Sequence, residues 1–212
     1  MKARKRNAAQ GFTLIELLVV ISIIAVLMGL AFPAFQSVQN SAKRAQAKND
    51  LVQIVTAVNA YYTEYGRYPA LDSNYDPAAS PDDSSDYLAG DDSANDRLFN
   101  LLRPSTTNPA DNVIAKGNPR AISFLQLPIV KDFNNPRSGI GQNGRLYDPW
   151  GSTYRIRIDN SYNGTVTNPY SKGAGFNPIT AGVIAWSIGK DKLTDASDKN
   201  AQDSKDDVIS WQ

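Results

Sequence analysis

The stretch "GFTLIELLVVISIIAVLMGLAFPAF", Gly11 to Phe35, is an apolar run broken near its start by one carboxylate, Glu16. Phe12 to Phe32 is 21 residues with only Thr13, Glu16 and Ser22 polar. As a helix it would be about 31 Å long, close to the hydrocarbon thickness of a bilayer. The run reads as a membrane span. A carboxylate inside hydrocarbon costs roughly 2.5–3.5 kcal/mol on insertion scales, so Glu16 marks function and requires a partner.

Upstream, Lys2, Arg4, Lys5 and Arg6 fall within the first ten residues with no acid among them. A basic leader before an apolar run has the outline of a secretory signal peptide, but no small-x-small cleavage site follows the run. The charge bias predicts a cytoplasmic leader and an outward C-terminal part, although Lys43, Arg44 and Lys48 beyond the span weaken it. Downstream of Pro33, which is expected to kink or loosen the span, the chain turns amphipathic. Phe35, Val38, Ala42, Ala45, Val52, Val55, Val58 and Tyr62 recur at threes and fours. That stripe serves the core, neighbouring subunits, or both at opposite ends of the helix. Gly66 and Tyr68-Pro69 are placed to end it.

The 212 residues, 42% hydrophobic, suffice for one domain with appendages. The net charge of +1 hides an asymmetry: without the leader the chain carries 18 basic and 21 acidic side chains, which excludes the basic footprint of a nucleic-acid binder. Cysteine and histidine are both absent, which removes Cys nucleophiles, Ser-His-Asp relays and His/Cys zinc sites. A membrane-anchored Asp-dependent hydrolase then lacks a base and a nucleophile. Nineteen acids are Asp and two, Glu16 and Glu64, are Glu; short carboxylates suit turns, caps and oxygen-ligand metal sites.

Residues 72–96 hold eight Asp and few apolar residues and read as an exposed excursion. "RLFNLL" and "AISFLQLP" are each long enough for a short helix or strand. "YRIRID", Tyr154 to Asp159, alternates as a half-buried antiparallel strand, led in by a type I turn at "DPWG", Asp148 to Gly151. "GVIAWSIG" reads as a second strand on the same core, and Asn163-Gly164 offers another turn. "GIGQNG", Gly139 to Gly144, fits a dinucleotide fingerprint but neither follows a strand nor opens a helix. "DNSYNG" resembles half an EF-hand loop, yet Tyr170 stands where a bidentate Glu is needed, so it reads as a hairpin loop. Trp150, Trp186 and Trp211 suit a core better than a carbohydrate or peptide platform. Asp191, at the end of a strand, and Asp206-Asp207, before the closing apolar segment, can be brought together by one turn of the intervening loop. Three carboxylates there suit calcium, against the alternative of a solvated loop offset by Lys190, Lys192, Lys199 and Lys205.

The leader, the Gly11-Phe12 junction, Glu16 five residues after the glycine and Pro33 near the end of the span together resemble the N-terminus of type IV pilin-like proteins. The resemblance implies an α+β fold with a long N-terminal helix packed on a small antiparallel sheet. It implies removal of residues 1–11 by a prepilin peptidase that cuts after Gly11 and methylates the amine of Phe12. Residues 12–33 would form the membrane and assembly helix, 34–66 its amphipathic half and 67–212 the periplasmic globular domain. Glu16 would pair with the terminal ammonium of a neighbour's Phe12 in a homo-oligomeric helical filament. Within that superfamily "YDPWGSTY" and "SIGKD…DDVISW" resemble the major pseudopilin of type II secretion systems. That likeness implies a calcium loop within 187–212, liganded by Asp191, Asp206, Asp207 and the Ile188 carbonyl, as a structural ion and not a catalytic one. It further implies partners in an inner-membrane secretion platform and minor pseudopilins. The stretch between Asp191 and Asp206 is longer than usual, and "LTDASDKNAQD" replaces the double glycine common there. A type IV pilin for adhesion, motility or DNA uptake is the alternative; "DPWG" and the missing C-terminal disulfide count against it.

Overall fold

The computed structural model describes residues 12–69, 87–89, 95–103, 117–142 and 144–212. The leader, Gly11 and most of the 72–96 excursion lie outside the described residues. The chain divides into two compact units, Met1–Ala42 and Lys43–Gln212, and helix α1, Leu14–Tyr65, contributes to both.

In the first unit α1 is apolar on every side. Phe12, Leu14, Ile21, Met28, Phe35 and Val38 are all exposed in the single chain. The helix is long and apolar enough to cross a membrane. It runs unbroken through Pro33, so residues 12–33 and 34–66 belong to one element. Proline removes a single i→i−4 bond, and intact turns on either side carry the helix past that loss.

In the second unit α1 buries Ala47, Asp50, Leu51, Ile54, Ala57, Val58 and Tyr61, spaced by threes and fours. This is not the stripe that the sequence suggested. Val58 belongs to both and Val55 packs at the core's edge, but Val52 and Tyr62 are exposed at 49% and 40%. Two apolar stripes share the helix, and only the one facing the sheet is covered by the chain itself. Gly66, at φ 68°, ends the helix as expected, its N–H donating to the Tyr62 carbonyl at 2.8 Å.

Against that face lies a four-stranded antiparallel sheet in the order β1 (Tyr87–Ala89), β4 (Arg155–Ile158), β5 (Val183–Ser187), β6 (Val208–Ile209). A second pair, β2 (Gly139–Ile140) and β3 (Leu146–Tyr147), forms a small hairpin. The alternation in β4 is realised: Ile156 and Ile158 are buried while Arg155 and Arg157 are half-buried. Strand β5 is buried on both faces, because Val183 and Ala185 join the core under α1 while Ile184 and Trp186 join a second core with Val166, Tyr170, Ala174 and Ile209. Strand β1 comes from inside the segment read as an excursion; its pairing with β4 covers an edge that composition did not reveal. "RLFNLL" becomes helix α2, Asp96–Leu102, burying Leu98, Phe99, Leu101 and Leu102, whereas "AISFLQLP" forms neither helix nor strand.

Two buried asparagines tie these pieces together. Asn95 donates to the carbonyls of Leu146 and Tyr154 and accepts the Leu146 N–H. Asn118 donates to Leu101 and Ile122 carbonyls and accepts the Tyr65 hydroxyl at 2.6 Å, fastening the end of α1. Each amide is paired on both sides, so burial leaves it no unmet group.

Ile54 is fully buried at the centre of the α1 face. Ile54→Ala should cost about 2–5 kcal/mol, a fall in Tm of roughly 4–20 °C at this domain size, readable by thermal unfolding in detergent. Val52→Ala, on the exposed stripe, should leave Tm nearly unchanged.

Candidate functional site

Three constellations carry the chemistry read from the sequence: the start of α1, the Asp148 turn and the C-terminal Asp loop. At the start of α1, Glu16 Oε2 accepts the backbone N–H of Thr13 at 2.8 Å and its hydroxyl at 2.7 Å. The Glu16 N–H donates back to Thr13 Oγ1 at 3.3 Å. Thr13 and Glu16 thus form a capping box, satisfying two donors that a helix start leaves open. The sequence signal was available as Thr-x-x-Glu in "TLIE", although the reading above sought Glu16's partner only in another subunit. In the single chain the carboxylate is already met by Thr13, which offsets part of the cost of holding it in the span. Gly11 lies outside the described residues, and Phe12 is exposed at 79%.

The "DPWG" turn is organised by one carboxylate. Asp148 Oδ1 accepts the N–H groups of Trp150, Gly151 and Ser152 at 2.8–2.9 Å, and Oδ2 accepts the Ser187 hydroxyl at 2.6 Å from the end of β5. Gly151, at φ 95°, closes the turn with its N–H on the Asp148 carbonyl. Asp50 on α1 accepts the Tyr154 hydroxyl at 2.8 Å, so the same corner is pinned to the helix. Burial pushes both carboxyls above the ordinary Asp value, against the pull of these hydrogen bonds. The three tryptophans are structural: Trp150 and Trp186 are buried in the two cores, and Trp211 packs on the second, donating its indole N–H to the Ala174 carbonyl at 2.7 Å. "DNSYNG" is a self-capped loop in which Asp159 accepts from Ser161, Asn163 and Gly164. "GIGQNG" contains strand β2 and opens no helix.

In the C-terminal loop, Asp191 is exposed and its Oδ1 accepts the Leu193 N–H at 2.9 Å. Asp206 Oδ2 accepts the N–H groups of Lys190 at 2.5 Å and Asp191 at 3.2 Å. Asp207 turns inward, its Oδ2 accepting the hydroxyls of Tyr170 at 2.6 Å and Thr194 at 3.2 Å, while its buried Oδ1 has no hydrogen-bond partner. Ile188 is half-buried at the exit of β5. Among the described residues no three acidic side chains are grouped as an ion would require. Burial raises the Asp207 carboxyl to about 6, opposed by Tyr170, Thr194 and the Lys199 charge. The folded chain therefore keeps a proton on Asp207 that the unfolded chain releases near 3.8, and stability falls as pH rises across that window. Asp207→Asn should flatten the loss of Tm between pH about 4 and about 6, measured by thermal melts at constant ionic strength.

Residues 6–32 match the family profile described as the prokaryotic N-terminal methylation motif. The type IV major pilin protein PilA of Myxococcus xanthus is 41% identical over 59 residues, 28% of this chain and 27% of that protein. The fimbrial protein of Neisseria meningitidis is 30% identical over 99 residues, covering 47% of this chain and 58% of the relative. The type II secretion system core protein G of Aeromonas hydrophila is 30% identical over 86 residues, 38% of this chain and 60% of that protein. The chain spans from about a quarter to three fifths of the length of these curated relatives. No solved structure gives a significant match. These relatives are named as pilins, fimbrial proteins and secretion core proteins, and not for any catalysis. Over its N-terminal segment the chain is similar to type IV pilins and to a secretion core protein, and its long helix joined to small antiparallel sheets is consistent with a pilin fold.

Proposed function

We propose that the chain is a structural subunit of the periplasmic pseudopilus of a type II secretion system, where filament growth drives folded proteins across the outer membrane. The observation that carries this reading over a surface pilin is the "YDPWGSTY" corner. Asp148 spends both oxygens on that turn and on β5, so the motif that resembles the major pseudopilins is a built element of the fold. The relative named as secretion core protein G supports the same assignment. The subunit sits in the inner membrane by its helix, leader cytoplasmic and globular domain periplasmic. A prepilin peptidase removes residues 1–11 and methylates Phe12. On assembly Glu16 exchanges the Thr13 amide for the ammonium of a neighbour's Phe12, and the apolar side chains of the first unit are covered by other copies. Breaking such a buried pair by removing one partner costs about 3–5 kcal/mol. Contacts with a secretion platform and minor pseudopilins complete the proposal.

Glu16→Ala should abolish filament recovery from cells, assayed by shearing or crosslinking, while the Tm of the globular domain stays within error of the parent. Persistence of filaments would remove Glu16 from the assembly mechanism. Deleting the gene in its own bacterium should empty the culture medium of exported enzymes and leave surface pili and twitching intact. The pilin relatives, PilA of Myxococcus xanthus at 41% identity among them, support a second reading as an adhesive or motility pilin. Loss of pili with normal secretion would establish that reading instead.

A further inference from the structure

The four-stranded sheet ends in two edges whose surroundings carry opposite charge. One edge is β1, and the chain on both sides of it is acidic: residues 72–96 hold eight Asp and no Lys or Arg. Asp86 directly precedes Tyr87, and Asp91 and Asp92 follow two and three residues after Ala89. The pairing of β1 with β4 therefore ties these three carboxylates to that edge by a few residues of covalent chain. The other edge is β6, and beside it opens a cleft of about 440 Å³ lined by Arg44, Lys48, Lys199, Asn200, Asp207 and Gln212. Val208 and Ile209 of β6 form part of its wall.

Three cations and one acid line this cleft, and the acid, Asp207, is turned inward to the hydroxyls of Tyr170 and Thr194. The Lys48 ammonium donates to the Ile209 carbonyl at 2.7 Å and to the Gln212 carbonyl, and the Lys199 ammonium donates to the Ser204 carbonyl at 2.8 Å. Both are thus held in place by neutral oxygens, and neither is ion-paired to a carboxylate among the described residues. Arg44 is exposed and makes no hydrogen bond or ion pair among the described residues, which leaves its guanidinium donors open to an incoming carboxylate. Lys48 also caps a carbonyl of the edge strand, so a partner at this edge is met by charge and not by strand addition. An acidic segment of chain is the chemistry that such a surface receives.

We propose that the cleft beside β6 receives the Asp-rich segment around β1 of a second copy of this chain. The two surfaces lie on opposite edges of one sheet, so the contact is head-to-tail, and its repetition extends a filament. The inference rests on the filament reading above and holds for a secretion or a surface filament alike. Its test exploits the absence of cysteine from the chain. Two full-length copies with different epitope tags, one carrying Ala45→Cys at the cleft and the other Ser93→Cys beside Asp92, are co-expressed, and the sheared filaments are treated with a short bismaleimide. A crosslinked pair bearing both tags is the expected product. Adding Arg44→Glu to the Ala45→Cys copy should lower its yield roughly fivefold or more while the Tm of the subunit in detergent is unchanged. Asp91→Lys with Asp92→Lys in the Ser93→Cys copy should restore it. Filaments that give no such pair, or a pair indifferent to Arg44→Glu, would overturn the inference and leave the filament reading standing. A crosslink within one chain carrying both cysteines, diluted in detergent, would overturn it by placing the segment on its own cleft. Failure of the unsubstituted chain to yield filaments would bring down the filament reading, and the inference with it.

Discussion

Helix α1 carries more apolar surface than one globular domain can cover, and the remainder of the structure follows from that constraint. In the second unit the sheet and α2 take the face from Ala47 to Tyr61. The residues from Phe12 to Val38, and the separate stripe at Val52 and Tyr62, are left bare in the single chain. A bare apolar helix of this length is soluble only in a bilayer or among other copies of itself. Insertion into a bilayer and packing among other copies would each meet that one physical demand.

The surplus of Asp over Glu has a structural counterpart. Asp148, Asp159 and Asp206 each place a carboxylate on the backbone N–H groups of a turn, a job that the short side chain does and glutamate does poorly. With no disulfide in the chain, these charge-assisted bonds fasten the long connections of the sheet. Glu16 does the equivalent for the start of α1 through the capping box.

Much of the fold is legible residue by residue. The apolar run from Phe12, the end of α1 at Gly66, the strand at Arg155–Ile158 and the Asp148 turn all follow from local pattern, because each is decided within a few residues of chain. The stripe on α1 was misread because two apolar stripes at helical spacing coexist, and periodicity alone does not say which one meets a sheet. Strand β1 was missed because its three residues sit between Asp-rich stretches and gain their identity only by pairing with β4. The roles of Asn95 and Asn118 were invisible for the same reason: their partners lie on elements distant in sequence or on chain that carries no pattern.

The N-terminal segment alone carries the resemblance to type IV pilin-like proteins, because the basic leader, the Gly11-Phe12 junction, Glu16 and Pro33 all fall within it. Composition alone removed the chemistries that need cysteine or histidine, because neither residue occurs in the sequence. Which Asp carboxylates meet backbone N–H groups and which meet hydroxyls was decided by tertiary structure. A carboxylate accepts from an amide or binds an ion according to what the fold brings within 3 Å of it, and spacing along the chain does not contain that distance.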